Sequence, residues 1–150
     1  MSPAAPLART DNLTAMLRLV GLFRRTFADL LAREPWVVSS GVKPSTYGLL
    51  SVVDRRQPVS QREVCDALGT HASDMVDIVD GAERQGWVER RRDPSDRRRY
   101  QLTITPDGRH ALARYDELAA LAEAEVLAPL SEAERRHLVA LVTKVVDRST

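Results

Sequence analysis

Two runs of three arginines, Arg90 to Arg92 and Arg97 to Arg99, flank the turn-forming tetrad Asp93-Pro94-Ser95-Asp96. Guanidinium groups stay charged at any physiological pH and present a planar fork of donors, so a loop carrying several is suited to phosphate oxygens or an electronegative groove. Between residues 85 and 106 six Arg stand against three acids, whereas residues 71–84 hold one Arg and four acids. Residues 107–150 hold six basic side chains and eight acidic ones, and the whole chain has a formal net charge of only +1. The positive charge is therefore local. The excess of Arg over Lys suits bidentate recognition of phosphate and guanine, although GC-rich coding would produce the same excess.

No other group of residues forms a recognisable reaction centre. No nucleophile and base stand in a known motif, and no Gly-rich phosphate loop is present, so no enzymatic activity and no cofactor are expected. His71, His110 and His137 lie far apart without further ligands at i+3 or i+4, which speaks against a metal site. The single cysteine, Cys65, cannot close an internal disulfide, and it falls where a small buried residue is ordinary. The first apolar stretch, Leu13 to Phe27, is broken by Arg18, Arg24 and Arg25, unlike a secretory signal. No apolar run approaches the ~20 residues of a membrane span. A cytoplasmic protein without membrane attachment is expected.

With 150 residues, 43% hydrophobic, 29% charged and 5% aromatic, the chain suits one helix-rich domain. Residues 1–10, with Pro3 and Pro6, read as a flexible terminus, and residues 11–150 as a single unit. From Asp11 apolar residues recur at spacings of three and four through Leu13, Leu17, Val20, Phe23 and Phe27, predicting a long helix that ends near Pro35. Trp36 to Val42 reads as a loop, and Pro44 as the first residue of a second helix that stops before Pro58. Ser60-Gln61-Arg62-Glu63 has the form of a capping box opening a third helix that Gly69 ends. A fourth helix runs from about His71 to Gln85 with Met75, Ile78, Val79 and Ala82 as its apolar stripe. Two helices joined this tightly predict a helix-turn-helix.

Beyond Gly86, the segment from Trp87 and the alternating Tyr100-Gln101-Leu102-Thr103-Ile104 predict a β-hairpin with the arginines at its tip. Thr105-Pro106-Asp107 then starts another helix, and Ser131-Glu132-Ala133-Glu134 caps a last one carrying Leu138, Leu141, Val142 and Val145 on one side. The fold class is thus mainly α with a small β-hairpin wing: a winged helix-turn-helix core over residues 44–105, with helices at 11–34 and 106–148. The core can bury its own hydrophobes, whereas the terminal helices keep apolar stripes. A second copy of the chain is their simplest cover, so these helices are expected to form a homodimer.

The run Gly86-Trp87-Val88-Glu89-Arg90, the pair Asp96 and Arg98, and the exit Ile104-Thr105-Pro106-Asp107-Gly108 closely resemble the wing signature of the MarR (multiple antibiotic resistance regulator) family. The order of elements fits from about Asp11 onward. The resemblance implies a transcriptional regulator, most often a repressor, that binds double-stranded DNA as a dimer on a pseudo-palindrome. It points to Arg98 as the residue inserted in the minor groove, where A·T-rich DNA is narrow and most negative. Asp96, two positions earlier, is expected to hold the Arg98 guanidinium in a bidentate pair. Arg90, Arg92, Arg97 and Arg99 are then phosphate contacts or solvated charges, and Gln61 and Arg62 further contacts.

On the fourth helix the residues opposite the apolar stripe include Ser73, Asp74, Asp77 and Arg84, with His71 and Ala72 at the end that meets base edges. Relatives carry Thr or Ser near Asp74 and a basic or amide residue near Asp77, so the carboxylates here depart from the pattern. Two outcomes follow: either they accept from cytosine N4, or the wing and the surroundings of Gln61 and Arg62 carry most of the affinity. Asp80 sits where relatives often have Asp, which suggests a structural role. A winged-helix dimer that reads DNA weakly and acts through a protein partner is the alternative reading of the acidic face. The resemblance also implies a small aromatic or phenolic effector in a cleft near Phe27, Trp36, Tyr47 and Tyr115. Redox-sensing relatives place their cysteine in the first helix, unlike Cys65.

Overall fold

A computed structural model of the chain describes residues 9–147, with side chains from residue 12 onward. The expected flexible terminus lies mostly outside the described residues, but its last two, Arg9 and Thr10, already belong to helix α1 (Arg9–Ala32). The order continues α2 (Pro35–Ser40), α3 (Thr46–Arg56), β1 (Val59–Ser60), α4 (Gln61–Leu68) and α5 (Ala72–Arg84). It ends with β2 (Val88–Arg92), β3 (Tyr100–Ile104), α6 (Pro106–Val126) and α7 (Glu132–Asp147). The fold is mainly helical, with one small antiparallel sheet in the order β1-β3-β2.

Local signals set most boundaries. At the start of α4 the Ser60 hydroxyl accepts from the Glu63 amide at 3.2 Å, and the Glu63 carboxylate accepts from the Ser60 amide at 2.8 Å. The Ser60 hydroxyl, which also donates to that carboxylate at 2.6 Å, and after it the Ser60 amide hold the Glu63 carboxyl below its ordinary range. The same reciprocal bonds join Ser131 and Glu134 ahead of α7. Gly69 (φ 61°) and Gly86 (φ 71°) close the ends of α4 and α5 in the left-handed region, where a Cβ would be strained.

Two expectations need correction, and one short strand was not expected at all. The segment Trp36 to Val42 is largely helical, because Pro35 opens α2 instead of merely ending α1. Six residues are too few to show a period, and Val37 alone supplies the buried anchor. Pro44 is not the first residue of α3; it precedes the N-cap Ser45, and its carbonyl accepts from the Tyr47 amide at 3.3 Å. The two-residue strand β1, which pairs Val59 with Leu102, is too short to announce itself by alternation.

One core gathers Leu31 from α1, Leu49, Leu50 and Val53 from α3, Val64 from α4, Met75, Ile78 and Val79 from α5, Val88 and Leu102 from the sheet, and Tyr115 from α6. Apolar side chains at the chain's two ends do not join it. Leu13, Met16, Leu17 and Val20 of α1 are exposed, as are Val139, Leu141, Val142 and Val145 of α7, and no residue of α7 is buried. Among the described residues no helix is long and apolar enough to cross a membrane.

Candidate nucleic-acid interface

The second helix of the helix-turn-helix, α5, buries Met75, Ile78, Val79 and Ala82 and leaves His71, Ala72, Ser73, Asp74, Asp77 and Arg84 exposed. Helix α4 meets it across the turn at Gly69 and Thr70. Gln61 and Arg62 of α4 and His71 and Ala72 of α5 line one open concavity of about 520 Å³, so these four residues from two helices share a surface. Cys65 lines its floor and is otherwise buried; burial, and after it the Asp66 charge, push its thiol pKa up, which disfavours the reactive thiolate.

The hairpin pairs Val88 with Ile104, Arg90 with Leu102 and Arg92 with Tyr100. Its tip is ordered by its own acids. The Asp93 carboxylate accepts from the Ser95 amide at 2.7 Å and the Ser95 hydroxyl at 2.6 Å, which lower its pKa, and also from Gln101 at 3.1 Å. The Asp96 carboxylate accepts from the Arg98 amide at 3.0 Å and pairs with the Arg99 guanidinium at 3.5 Å. The expected pair between Asp96 and the Arg98 guanidinium is therefore not formed. A side chain two residues away competes poorly with the amide of the same residue, which the turn already places over the carboxylate.

The six arginines divide by what they touch. Arg92 donates to the Arg97 carbonyl at 3.0 Å and lies 5.5 Å from the centre of the Tyr100 ring. Arg91 pairs with Glu89 at 2.8 Å and Arg99 with Asp96. Arg90, expected as a phosphate contact or a solvated charge, pairs with Asp80 and, at 3.6 Å, with Glu83, both on α5. Arg97 and Arg98 are exposed, and among the described residues neither guanidinium has a hydrogen-bond or ion-pair partner. Two adjacent free cations thus sit at the hairpin tip while Arg90 braces the hairpin against α5.

Removing one side of that brace leaves a half-buried cation short of a partner. Asp80→Ala is expected to cost about 1–2 kcal/mol of stability in urea denaturation, with a coupling to Arg90→Ala of about 1 kcal/mol in a double-mutant cycle. Strictly additive losses would remove the brace from the account.

The acidic face of α5 is less free than its sequence suggests. Lys43, on the segment between α2 and α3, pairs with Asp77 at 3.1 Å. Arg90 holds Asp80 and Glu83, so these three of the helix's four carboxylates face cations within the chain. Lys43 was not legible as a site residue, because its partner lies 34 positions along the chain. Arg56, exposed at the end of α3, was also missed: with Arg99 of the wing it is near enough to Glu63, at the start of α4, to favour that carboxylate's charged form.

Phe27, Trp36, Tyr47 and Tyr115 do come together, joined by Trp87, which the sequence pointed to only as the start of the hairpin. Their rings pack closely, with centroids 4.9 Å apart for Trp36 and Tyr115, 5.3 Å for Phe27 and Tyr47, and 6.2 Å for Trp87 and Tyr115. The cluster fills its space instead of lining a cleft. Beside it lies a shallow groove of about 220 Å³, which Phe27 and Tyr47 line with Phe23, Arg24, Ala119 and Ala122; Trp36 and Tyr115 stand outside it. The Tyr47 hydroxyl donates to Asp116 at 3.0 Å, and the Arg114 guanidinium lies 4.2 Å from the centre of the Trp36 ring.

Tyr115 is fully buried, its hydroxyl has no hydrogen-bond partner among the described residues, and burial pushes its pKa up to about 12. A raised pKa in the folded state favours the neutral phenol, so this contribution to stability is complete below pH 10 and is lost as the pH rises towards 12. In an alkaline absorbance titration one tyrosine should ionise only near pH 12 or with unfolding. Full ionisation of all three near pH 10, in a protein still folded by circular dichroism, would contradict that burial.

A model of the MarR family matches residues 40–99, from the end of α2 to the tip of the wing. A Thauera aromatica protein assigned to transcriptional regulation of the hcr operon is 36% identical over 107 residues, covering 71% of this chain and 64% of that protein. The chain thus aligns with slightly less than two thirds of that relative's length. The transcriptional repressor CouR, solved on a 23-mer DNA duplex, has a TM-score of 0.68 at 25% identity, covering 96% of this chain and 99% of CouR. The PcaV transcriptional regulator of Streptomyces coelicolor, solved with its natural ligand, shares the fold across 100% of both chains, at a TM-score of 0.69 and 22% identity. The wing signature, the order of elements, the matched family model and these relatives agree: over its winged core, residues 40–99, the chain matches the MarR family.

Proposed function

We propose that this chain is a sequence-specific DNA-binding transcriptional regulator of the cytoplasm, a homodimeric repressor that catalyses no reaction. The observation that carries this reading is the pair of unpartnered guanidiniums, Arg97 and Arg98, at the tip of a hairpin braced to α5 by Arg90. In the proposed complex α5 lies in the major groove and Arg98 enters the adjacent minor groove, with Arg97, Arg62 and Gln61 on phosphates. Arg84, Arg92 and Arg99 add positive potential around them. The exposed apolar faces of α1 and α7 support a dimer, which would present two copies of α5 to half-sites about ten base pairs apart. CouR, seen on DNA, supports the choice of ligand by relationship.

The effector is a small aromatic or phenolic molecule, and the groove beside Tyr47 and Phe27 is its place. Support comes from the apolar lining with Arg24 at its edge, and from PcaV, solved with its natural ligand. A panel of phenolic acids that leaves the melting temperature unchanged would remove the effector from the proposal.

Selection of bound duplexes from a random DNA pool, followed by a salt titration on the enriched sequence, tests the main reading. An inverted repeat whose binding weakens steeply with salt is the expected result. A folded dimer that enriches no sequence would overturn it and favour a protein partner.

A further inference from the structure

Asp77 is paired with Lys43, and Asp80 and Glu83 with Arg90, so Asp74 is the one carboxylate of α5 without an ion-pair partner among the described residues. The uncharged residues exposed in the first two turns are Ala72, Ser73 and Val76. Val76 leaves 44% of its surface open one turn beyond Ala72, on a helix whose other large apolar residues, Met75, Ile78 and Val79, are buried. Single exposed hydrophobes are ordinary on a protein surface. This one stands on the helix that the proposed complex puts in the major groove, where the one apolar group a base edge offers is the C5-methyl of thymine.

We propose that Val76 is a specificity-determining residue that reads the methyl group of a thymine in each half-site. The inference rests on the DNA reading above and deepens it. The ion pairs ease the approach of valine to a base edge, because Asp77, next to it in the chain, and Asp80, one turn on, are each balanced by a cation of this chain. Ala72, one turn earlier, leaves room for the approach, and the Ser73 hydroxyl can donate or accept beside it.

The test uses the full-length protein and the operator that it selects. Each thymine is replaced in turn by deoxyuridine, which deletes the methyl group and leaves every hydrogen-bonding atom in place. At one thymine in each half-site the replacement is expected to weaken binding about fivefold. Val76→Ala should weaken the thymine operator by a similar factor and bind thymine and uracil equally at that position, while keeping the other methyl effects. Alanine is the better helix former at an exposed position, so the variant should melt no lower than the parent in circular dichroism. An enriched operator in which no thymine effect changes in Val76→Ala overturns this assignment and leaves the DNA reading standing. Failure of the parent to enrich any sequence overturns both.

Discussion

Arg98→Ala is expected to weaken binding to the selected operator about a hundredfold, with the melting temperature of the free protein unchanged. Each half of a dimer would lose one charged contact worth about 1.4 kcal/mol, a factor of ten, and a palindrome counts the loss twice. The free protein should not register the change, because the Arg98 guanidinium has no partner among the described residues; only its amide is engaged, by Asp96. Salt dependence should shallow in parallel, the slope of log K against log salt falling by about two. Arg91→Ala is the contrasting variant, since that side chain pairs with Glu89 on the hairpin itself and should cost far less. Equal affinity for parent and Arg98→Ala, measured by fluorescence anisotropy at two salt concentrations, would refute the wing mechanism.

Gly108→Ala should be among the most damaging single substitutions to the fold. Gly108 is buried in the first turn of α6, where an added Cβ would stand 2.0 Å from the Trp87 carbonyl oxygen and 2.7 Å from Ile104 Cγ1. The oxygen cannot withdraw cheaply, because it accepts from the Thr105 amide at 3.0 Å. Thr105 in turn donates to the Gly86 carbonyl at 2.6 Å and accepts from the Gly108 amide at 3.0 Å, locking the end of α5, the start of β2 and the start of α6 together. Relief requires moving one of these elements, and a loss of at least about 3 kcal/mol is expected. By calorimetry the melting temperature should fall by about 10 °C for a chain of this length. Gly81→Ala, whose Cβ would meet nothing nearer than Arg84 Nη2 at 3.7 Å, should instead stabilise α5 by about 0.5–1 kcal/mol. A Gly108→Ala protein as stable as its parent would show that the contact between α6 and β2 is softer than its geometry.

The acidic look of α5 shows where reading along the chain stops. Asp74 and Asp77 suggested readout of cytosine, yet Asp77 faces Lys43, and Asp80 and Glu83 face Arg90, cations brought in from elsewhere in the fold. The Arg90 brace makes the same point from the other side, since six arginines that look alike in sequence end with quite different partners.

What the sequence determined by itself was governed by neighbours a few residues apart. The capping boxes at Ser60 and Ser131, the glycine stops at Gly69 and Gly86, the apolar stripe of α5 and the alternation of β3 are short-range matters of backbone hydrogen bonding and side-chain period, and they were legible without coordinates. The tertiary structure alone decided which charges remain free and which surfaces remain open. Lys43 reaches Asp77, Tyr47 reaches Asp116, and the aromatic cluster draws residues from Phe27 to Tyr115 only after the intervening chain has folded. Coulomb attraction and ring packing act through space, so their partners follow from where the helices cross and not from spacing along the chain.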